Sequence, residues 1–302
     1  MDSDYVTHSP YSAPGPLLDV LRGPAPLPRE PAALVPLVRG ALLHRGEGGS
    51  FGYAVPDERM HEDAESRYVT EILRILAERG ATPLTEPREP GARFVATCRD
   101  FALLLCALLR ETGTPARLRC GYGTYFVPGL NDNHWVTEYW AGERGWVLVD
   151  PQVTGEFYGH IPFDPLDVPR DAFVVAGDAW RACRAGRADP DTFAVSGLPE
   201  IRGMRLVRAD VVADLAALGG VEALPWDGWG VMEKDDADVT DGDLALLDAV
   251  AAATSAAGLA PGAGRPDAVR ALLADPRLAV PAEIVSHTTF RGDRVVTLPR
   301  AA

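Results

Sequence analysis

The sequence predicts an α+β protein, and three observations carry that prediction. "TCRDFALLLCALLRETG" places Phe101, Leu104, Leu105 and Leu108 at i, i+3, i+4 and i+7, the spacing of a helix with an apolar face. After Pro115, "ARLRCGYGTYF" (116–126), "HWVTEYW" (134–140) and "GWVLVD" (145–150) have the β-branched and aromatic content of strands, and "AGER" between the last two reads as a hairpin turn. From about residue 165 onward the chain turns to Ala-rich segments such as "ADVVADLAAL" (209–218) and "DGDLALLDAVAAAT" (241–254), which predict a mainly helical C-terminal region.

Along the chain, residues 1–30 carry Pro10, Pro14, Pro16, Pro24, Pro26 and Pro28, which punctuate any helix and fit an extended or loosely packed N-terminal arm. A core is expected over 31–165 and the helical region over 166–302. Within the core, "AESRYVTEILRILAER" (64–79) puts Val69, Ile72, Leu73 and Ile75 with Leu76 on overlapping helical positions and ends at Gly80, so it reads as an amphipathic helix. The helix beginning at Cys98 is bounded by signals at both ends. Thr97 with Asp100 forms a capping box, and Gly113 supplies the left-handed stop. Thr240 with Asp243 marks another start of the same kind.

Composition narrows the function. The 302 residues are 47% hydrophobic and 24% charged, ordinary for a folded globular chain. A formal charge of −14 with no compensating basic stripe disfavours nucleic acid and other acidic partners. Basic charge is almost wholly arginine, Lys234 being the lysine, a bias of high-GC bacterial genomes. "MDSDYVTHSPYSAPGP" lacks the basic and apolar regions of a signal peptide, and no apolar run is long enough to span a bilayer, so a soluble cytoplasmic protein is expected, without membrane partners. The four cysteines, 98, 106, 120 and 183, show no CxxC spacing and are expected as free thiols.

The chemistry centres on Cys98. A thiol attacks as thiolate, and with a free pKa of about 8.5 it needs help at neutral pH. A helix N-terminus gives some of that help, and a nearby imidazole gives more. His134 opens one strand and Asp150 closes the next. On antiparallel strands, two positions share a face where the paired residue numbers sum to an even value. If Trp140 pairs with Trp146, His134 and Asp150 are diagonal neighbours on one face; if it pairs with Arg144 they are opposite each other. Pairing with Gly145 would put them on different faces.

Taken together, "TCRDFALLLCALLRETGTPARLRCGYG", "NHWVTEYW" and "GWVLVDP" resemble the transglutaminase-like superfamily of papain-type cysteine enzymes, over roughly residues 90–152. The resemblance implies a papain-like core in which the nucleophile helix packs on an antiparallel sheet. It also implies Cys98 as nucleophile, His134 as general base and acid, and Asp150 as the group orienting His134. Where the eukaryotic crosslinking branch has Trp after the cysteine, this chain has Arg99, the Cys-Arg-Asp form of bacterial relatives, so protein crosslinking is not implied. The expected activity is acyl transfer from a peptide, amide or acyl thioester, hydrolytic or amine-transferring, with no cofactor. A catalytically silent binding module on the same fold is the alternative.

Other features read as structural. Cys106 and Cys120 are expected in the core. Trp135, Trp140 and Trp146 are expected to pack, with Trp135 beside His134 a candidate wall of a substrate groove. No close ligand pair supports zinc, and "DDADVTDGD" (235–243) fails as a calcium loop because Asp241 and Leu247 stand where Gly and Glu are needed. Asp100 sets a conflict, since its charge suits the helix dipole yet disfavours a nearby thiolate. It is taken as structural and directed away from Cys98. Gly121 and Gly123 suit a bend or close backbone approach rather than a phosphate loop, no helix following them.

Overall fold

The computed structural model describes residues 4–259, 266–288 and 290–298, and the side chain of Glu156 is not described. The first three residues of the expected arm and residues 299–302 of the expected C-terminal region lie outside the described residues. Helices and sheets are mixed, as the sequence predicts. The chain divides into two compact units, Met1–Leu118 with Val136–Val168, and Arg119–Trp135 with Pro169–Ala302.

The first unit begins with α1 (Leu17–Arg22), α2 (Pro31–Ala41) and β1 (Leu42–His44), followed by α3 (Asp57–Glu62), α4 (Val69–Glu78) and β2 (Phe94–Ala96). β1 and β2 pair in parallel, Leu43 opposite Val95. β2 leads through Thr97 into α5 (Cys98–Glu111), against which α2 and α4 pack. α5 is buried along its whole length from Arg99 to Arg110, not on one face alone. Its apolar face predicts a helix half in water; neighbours on every side override that pattern, and the polar ends of Arg99 and Arg110 are buried with it. α4 starts at Val69 rather than at residue 64. The Glu71 carboxylate accepts from the N–H groups of Arg67 (2.8 Å) and Tyr68 (3.4 Å), and residues 63–65 form a separate 3-10 turn.

The Pro-rich first segment is pinned to this unit. Tyr5 and Tyr11 are buried, the Ala116 N–H donates to Tyr5 O at 3.1 Å, and Arg110 Nη1 donates to Ser12 Oγ at 2.7 Å. β3 (Ala116–Gly123) and β4 (Asn131–Trp140) belong partly to each unit by residue number. In the first unit the end of β4 pairs antiparallel with β5 (Trp146–Val149) across the predicted turn at Gly142–Arg144. Thr137 Oγ1 of β4 donates to Ala102 O of α5 at 2.8 Å, fixing helix to sheet. Beside it Arg117 and Glu138 form a buried pair at 2.7 Å, with the guanidinium 3.7 Å over the Trp146 ring.

The second unit adds β6 (Phe173–Val175), α6 (Ala176–Arg184), β7 (Phe193–Val195), β8 (Leu198–Arg202), α7 (Gly203–Leu218), β9 (Asp227–Gly228), α8 (Asp241–Thr254), α9 (Asp267–Leu273) and the hairpin β10 (Glu283–Thr288) with β11 (Gly292–Thr297). α6, α7 and α8 pack together. The strands run β6-β3-β4-β7-β8, with β7 joining β4 in parallel, Asn131 opposite Phe193, and β9 pairs with β10. Gly121 meets the expectation of close backbone approach: a Cβ there would lie 2.3 Å from Val174 O. Among the described residues, no helix is long and apolar enough to cross a membrane.

Candidate active site

Cys98 is the first residue of α5 and is half-buried, whereas Cys106, two turns on, is fully buried; Cys120 is buried too, and none of the four cysteines is in a disulfide. The predicted start of the helix is built mainly by Asp100. Its carboxylate accepts from the Thr97 N–H at 2.8 Å and from the Thr97 hydroxyl at 3.0 Å, so the hydroxyl donates to the carboxylate. Arg99 Nη1 lies 3.1 Å from the same carboxylate and also donates to Ser66 O, while Nη2 donates to Arg67 O at 2.5 Å. These contacts resolve the conflict over Asp100: its charge is consumed by the cap and by Arg99. Burial pushes its carboxyl above the usual carboxylate range, opposed by Arg99 and the Thr97 donors. Arg99, notable in the sequence only as a departure from another branch, is a fully buried anchor between α5 and the 66–67 segment.

Asp150 follows β5 directly and is fully buried. Its N–H donates to Pro165 O at 2.8 Å, and its Oδ1 accepts from Gln152 N at 3.0 Å. Gln152 Nε2 donates to Tyr158 Oη at 3.0 Å, Tyr158 Oη donates to Glu47 Oε1 at 2.5 Å, and Arg39 Nη1 lies 3.0 Å from Glu47 Oε2. A buried polar chain thus runs from Asp150 to α2 through a residue far away in sequence. Burial and the Glu47 charge hold the Tyr158 phenol well above its ordinary pKa, keeping it a donor. Sequence reasoning missed this chain. Its sole local trace is Gln152 two residues after Asp150.

His134 lies on β4 in the second unit, while Cys98 and Asp150 lie in the first. It is buried among aromatic rings, Phe126 at 4.7 Å, Tyr125 at 6.1 Å and Phe173 at 6.4 Å between centroids, all roughly edge-on. The β4–β5 register pairs Trp140 with Trp146 and Thr137 with Val149, an even-sum register, so strand alternation gives positions 134 and 150 the same face parity. Trp135 is 1% exposed and, by the same alternation, turns to the other face from His134. Next to them, Asn133 Nδ2 donates to Asp210 Oδ2 at 2.8 Å, and Tyr122 Oη donates to the same oxygen. Burial pushes the Asp210 carboxyl up to about 7, against those two donors. Nothing in the spacing of 122, 133 and 210 signals this cluster. Among the described residues, no group of three or more His, Cys, Asp or Glu is placed to hold a metal ion.

Cys98 thus stands at the start of a buried helix that is tied to the β4–β5 hairpin through Thr137. Residues 65–151 match the family model of the transglutaminase-like superfamily, and this segment of the chain is transglutaminase-like. A protein-glutamine gamma-glutamyltransferase of Pseudomonas aeruginosa is 37% identical over 62 residues, which are 18% of this chain and 9% of the relative. Among solved structures, a candidate cysteine protease from Cytophaga hutchinsonii aligns with a TM-score of 0.33 and 19% identity, over 59% of this chain and 50% of its own. Red sea bream transglutaminase aligns with a TM-score of 0.31 and 19% identity, over 46% of this chain and 24% of its own. The chain thus spans half or less of the length of each of these relatives. A transglutaminase-like segment points to cysteine-dependent acyl transfer as the general chemistry.

Proposed function

We infer that the protein is a cysteine-dependent acyl-transfer enzyme with Cys98 as nucleophile, His134 as general base and acid, and Asp150 as the residue orienting His134. The observation that carries this reading is the half-buried Cys98 at the first turn of α5, a helix buried from Arg99 to Arg110 and capped so that it begins there. The positive end of the helix dipole at that turn favours negative charge on sulfur. The even-sum register of β4 and β5 supports the pairing of His134 with Asp150.

In this reading the Cys98 thiolate attacks the carbonyl carbon of an amide or thioester. The carbonyl oxygen gathers charge near the Cys98 N–H, the first donor of an oxyanion hole. The C–N or C–S bond to the leaving group breaks, and the His134 imidazolium gives that group a proton, leaving a thioacyl enzyme. Water or an amine then attacks the thioester and loses a proton to His134, and the Cys98 thiolate departs. Hydrolysis and amine transfer share every step until the acceptor arrives. The substrate is a peptide, amide or acyl thioester, and four cysteines outside disulfides support a reducing, cytoplasmic setting. Trp135 is the weakest member of the site. Buried and on the other strand face from His134, it is expected to affect stability rather than KM when changed to Phe.

The test is alkylation by iodoacetamide across pH, read by intact mass. Cys98 is expected to react at pH 6 about tenfold or more faster than an ordinary thiol, as a lowered thiol pKa requires, and His134→Ala is expected to remove that advantage. Ordinary reactivity at pH 6 in the folded wild type would overturn the reading and leave a silent binding module. Acyl-enzyme trapped from cell extract on the wild type but not on Cys98→Ala would then give the substrate's mass.

A further inference from the structure

A cavity of about 1030 Å³ opens within the first unit, lined by α2, the turn at Gly48–Phe51 and the segment after β5. Its walls are mainly apolar and include Val35, Pro36, Phe51, Val153, Phe157 and Ile161. Phe51 and Phe157 are 38% and 49% exposed, two of the few large apolar side chains that the described residues leave open to solvent. Two open phenylalanines on one cavity mark a surface that an apolar ligand would cover with gain.

Two arginines line the same cavity, and they differ. Arg39 is committed to Glu47, with Nη1 at 3.0 Å and 3.3 Å from its two oxygens. Arg93 spends its Nε on Arg88 O at 3.1 Å, and its guanidinium lies 4.9 Å over the Phe51 ring. Among the described side chains, no carboxylate pairs with it. Asp164 also lines the cavity, its Oδ1 accepting the Leu166 N–H at 2.9 Å. Burial and then the neighbouring Arg39 hold the Arg93 pKa below its ordinary value, a penalty that a bound anion would relieve. A guanidinium lining a mainly apolar cavity fits a carboxylate in a forked pair, with the rest of the ligand against the rings.

The same walls reach the catalytic candidates. Tyr158 lines the cavity and is tied through Gln152 to Asp150, Pro165 accepts the Asp150 N–H, and Arg39 lies 5.3 Å over the ring of Phe101 on α5. We propose that this cavity binds a small organic carboxylate with an aryl or alkyl body, the carboxylate on Arg93 and the body against Phe51 and Phe157; that the ligand is part of the substrate rests on the Cys98 reading.

The experiment is calorimetric titration of the full chain with 3-phenylpropanoate, its neutral amide, and acetate, on the wild type and on Cys98→Ala. The acid is expected to bind both proteins alike, with the amide and acetate each about tenfold or more weaker. Arg93→Gln is expected to bring the acid down to the affinity of the amide, Arg93→Lys to recover part of the loss, and Phe51→Ala to weaken acid and amide together. The proposal is overturned if 3-phenylpropanoate does not bind, if the amide or acetate binds as tightly, or if folded Arg93→Gln binds the acid like the wild type. Since binding is read without the thiol, failure here leaves the Cys98 labelling result standing, and failure of the labelling leaves the cavity standing.

Discussion

α5 and α8 are each 14 residues long, and each begins with Thr at the cap and Asp at the third position. In α5 the Asp100 carboxylate accepts from the Thr97 N–H and hydroxyl, and in α8 Asp243 does the same from Thr240, at 3.0 and 2.8 Å. The local wording is the same and the surroundings are opposite. α5 is buried on every side, whereas α8 buries Asp243, Leu247, Val250, Ala251 and Thr254 and leaves the rest at or near the surface. Burial pushes Asp100 up, while the Lys234 ammonium at 2.6 Å and the Thr240 donors hold Asp243 well below the usual carboxylate range. A capped start is therefore not a site by itself. At α8 its first residue is the exposed Asp241, and at α5 the first residue is a half-buried cysteine on a buried helix.

The sharpest way to break this comparison is to remove the cation at each start. Arg99→Ala leaves Asp100 buried without its partner and is expected to cost about 3–5 kcal/mol in chemical denaturation. Lys234→Met, at a partly exposed pair, is expected to cost below about 1 kcal/mol. Equal losses would show that α8 is as deeply embedded as α5. Next in size, Thr240→Ala removes the cap hydroxyl that accepts the Asp243 N–H at 3.2 Å and should cost about 1 kcal/mol.

The effects of titration differ from these in that their signs oppose one another. Asp243 has a depressed folded pKa, so its contribution is present above the ordinary carboxylate pKa and is lost as pH falls through the depressed value. Asp100 and Asp210 have raised folded pKa values. Their contributions are present below the ordinary carboxylate pKa and are lost as pH rises through the folded value, which for Asp210 is about 7. Carboxyl NMR titration should therefore find Asp243 titrating below the ordinary range and Asp210 near neutrality, and Asp210→Asn should flatten the stability profile between about pH 4 and pH 7. An Asp210 that titrates in the ordinary range would mean that water reaches the Tyr122–Asn133 cluster.

Legibility followed the range of the interactions. The start of α5 at Cys98, the start of α8 after Thr240 and the turn at 142–144 depend on residues within a few positions of one another, and the chain spells them out, whereas the register of β4 against β5 was left open and the structure supplies it. β7 is three residues long and pairs in parallel with a strand some 60 residues earlier, so no short window marks it. The hairpin of β10 and β11 was within reach, since "EIVSHT" and "GDRVVT" alternate, but the Ala-rich helices around it drew the reading toward helix. The chain of Asp150, Gln152, Tyr158, Glu47 and Arg39 lay out of reach, because Glu47 meets Tyr158 across 111 positions.

By itself the sequence determined that helices and strands are mixed, the residue at which the central helix begins, and the cysteine, histidine and aspartate that resemble a known catalytic order. Those properties come from caps, periodicity and strand alternation, which act over a few residues and need no partner from afar. Tertiary structure decided that α5 is buried on all sides, that Arg99 rather than solvent answers the charge of Asp100, and that Arg39 is spent on Glu47 while Arg93 stands over Phe51. Each is a competition for one charged group among partners distant in the chain, and it is decided by which of them the packing brings within hydrogen-bond reach.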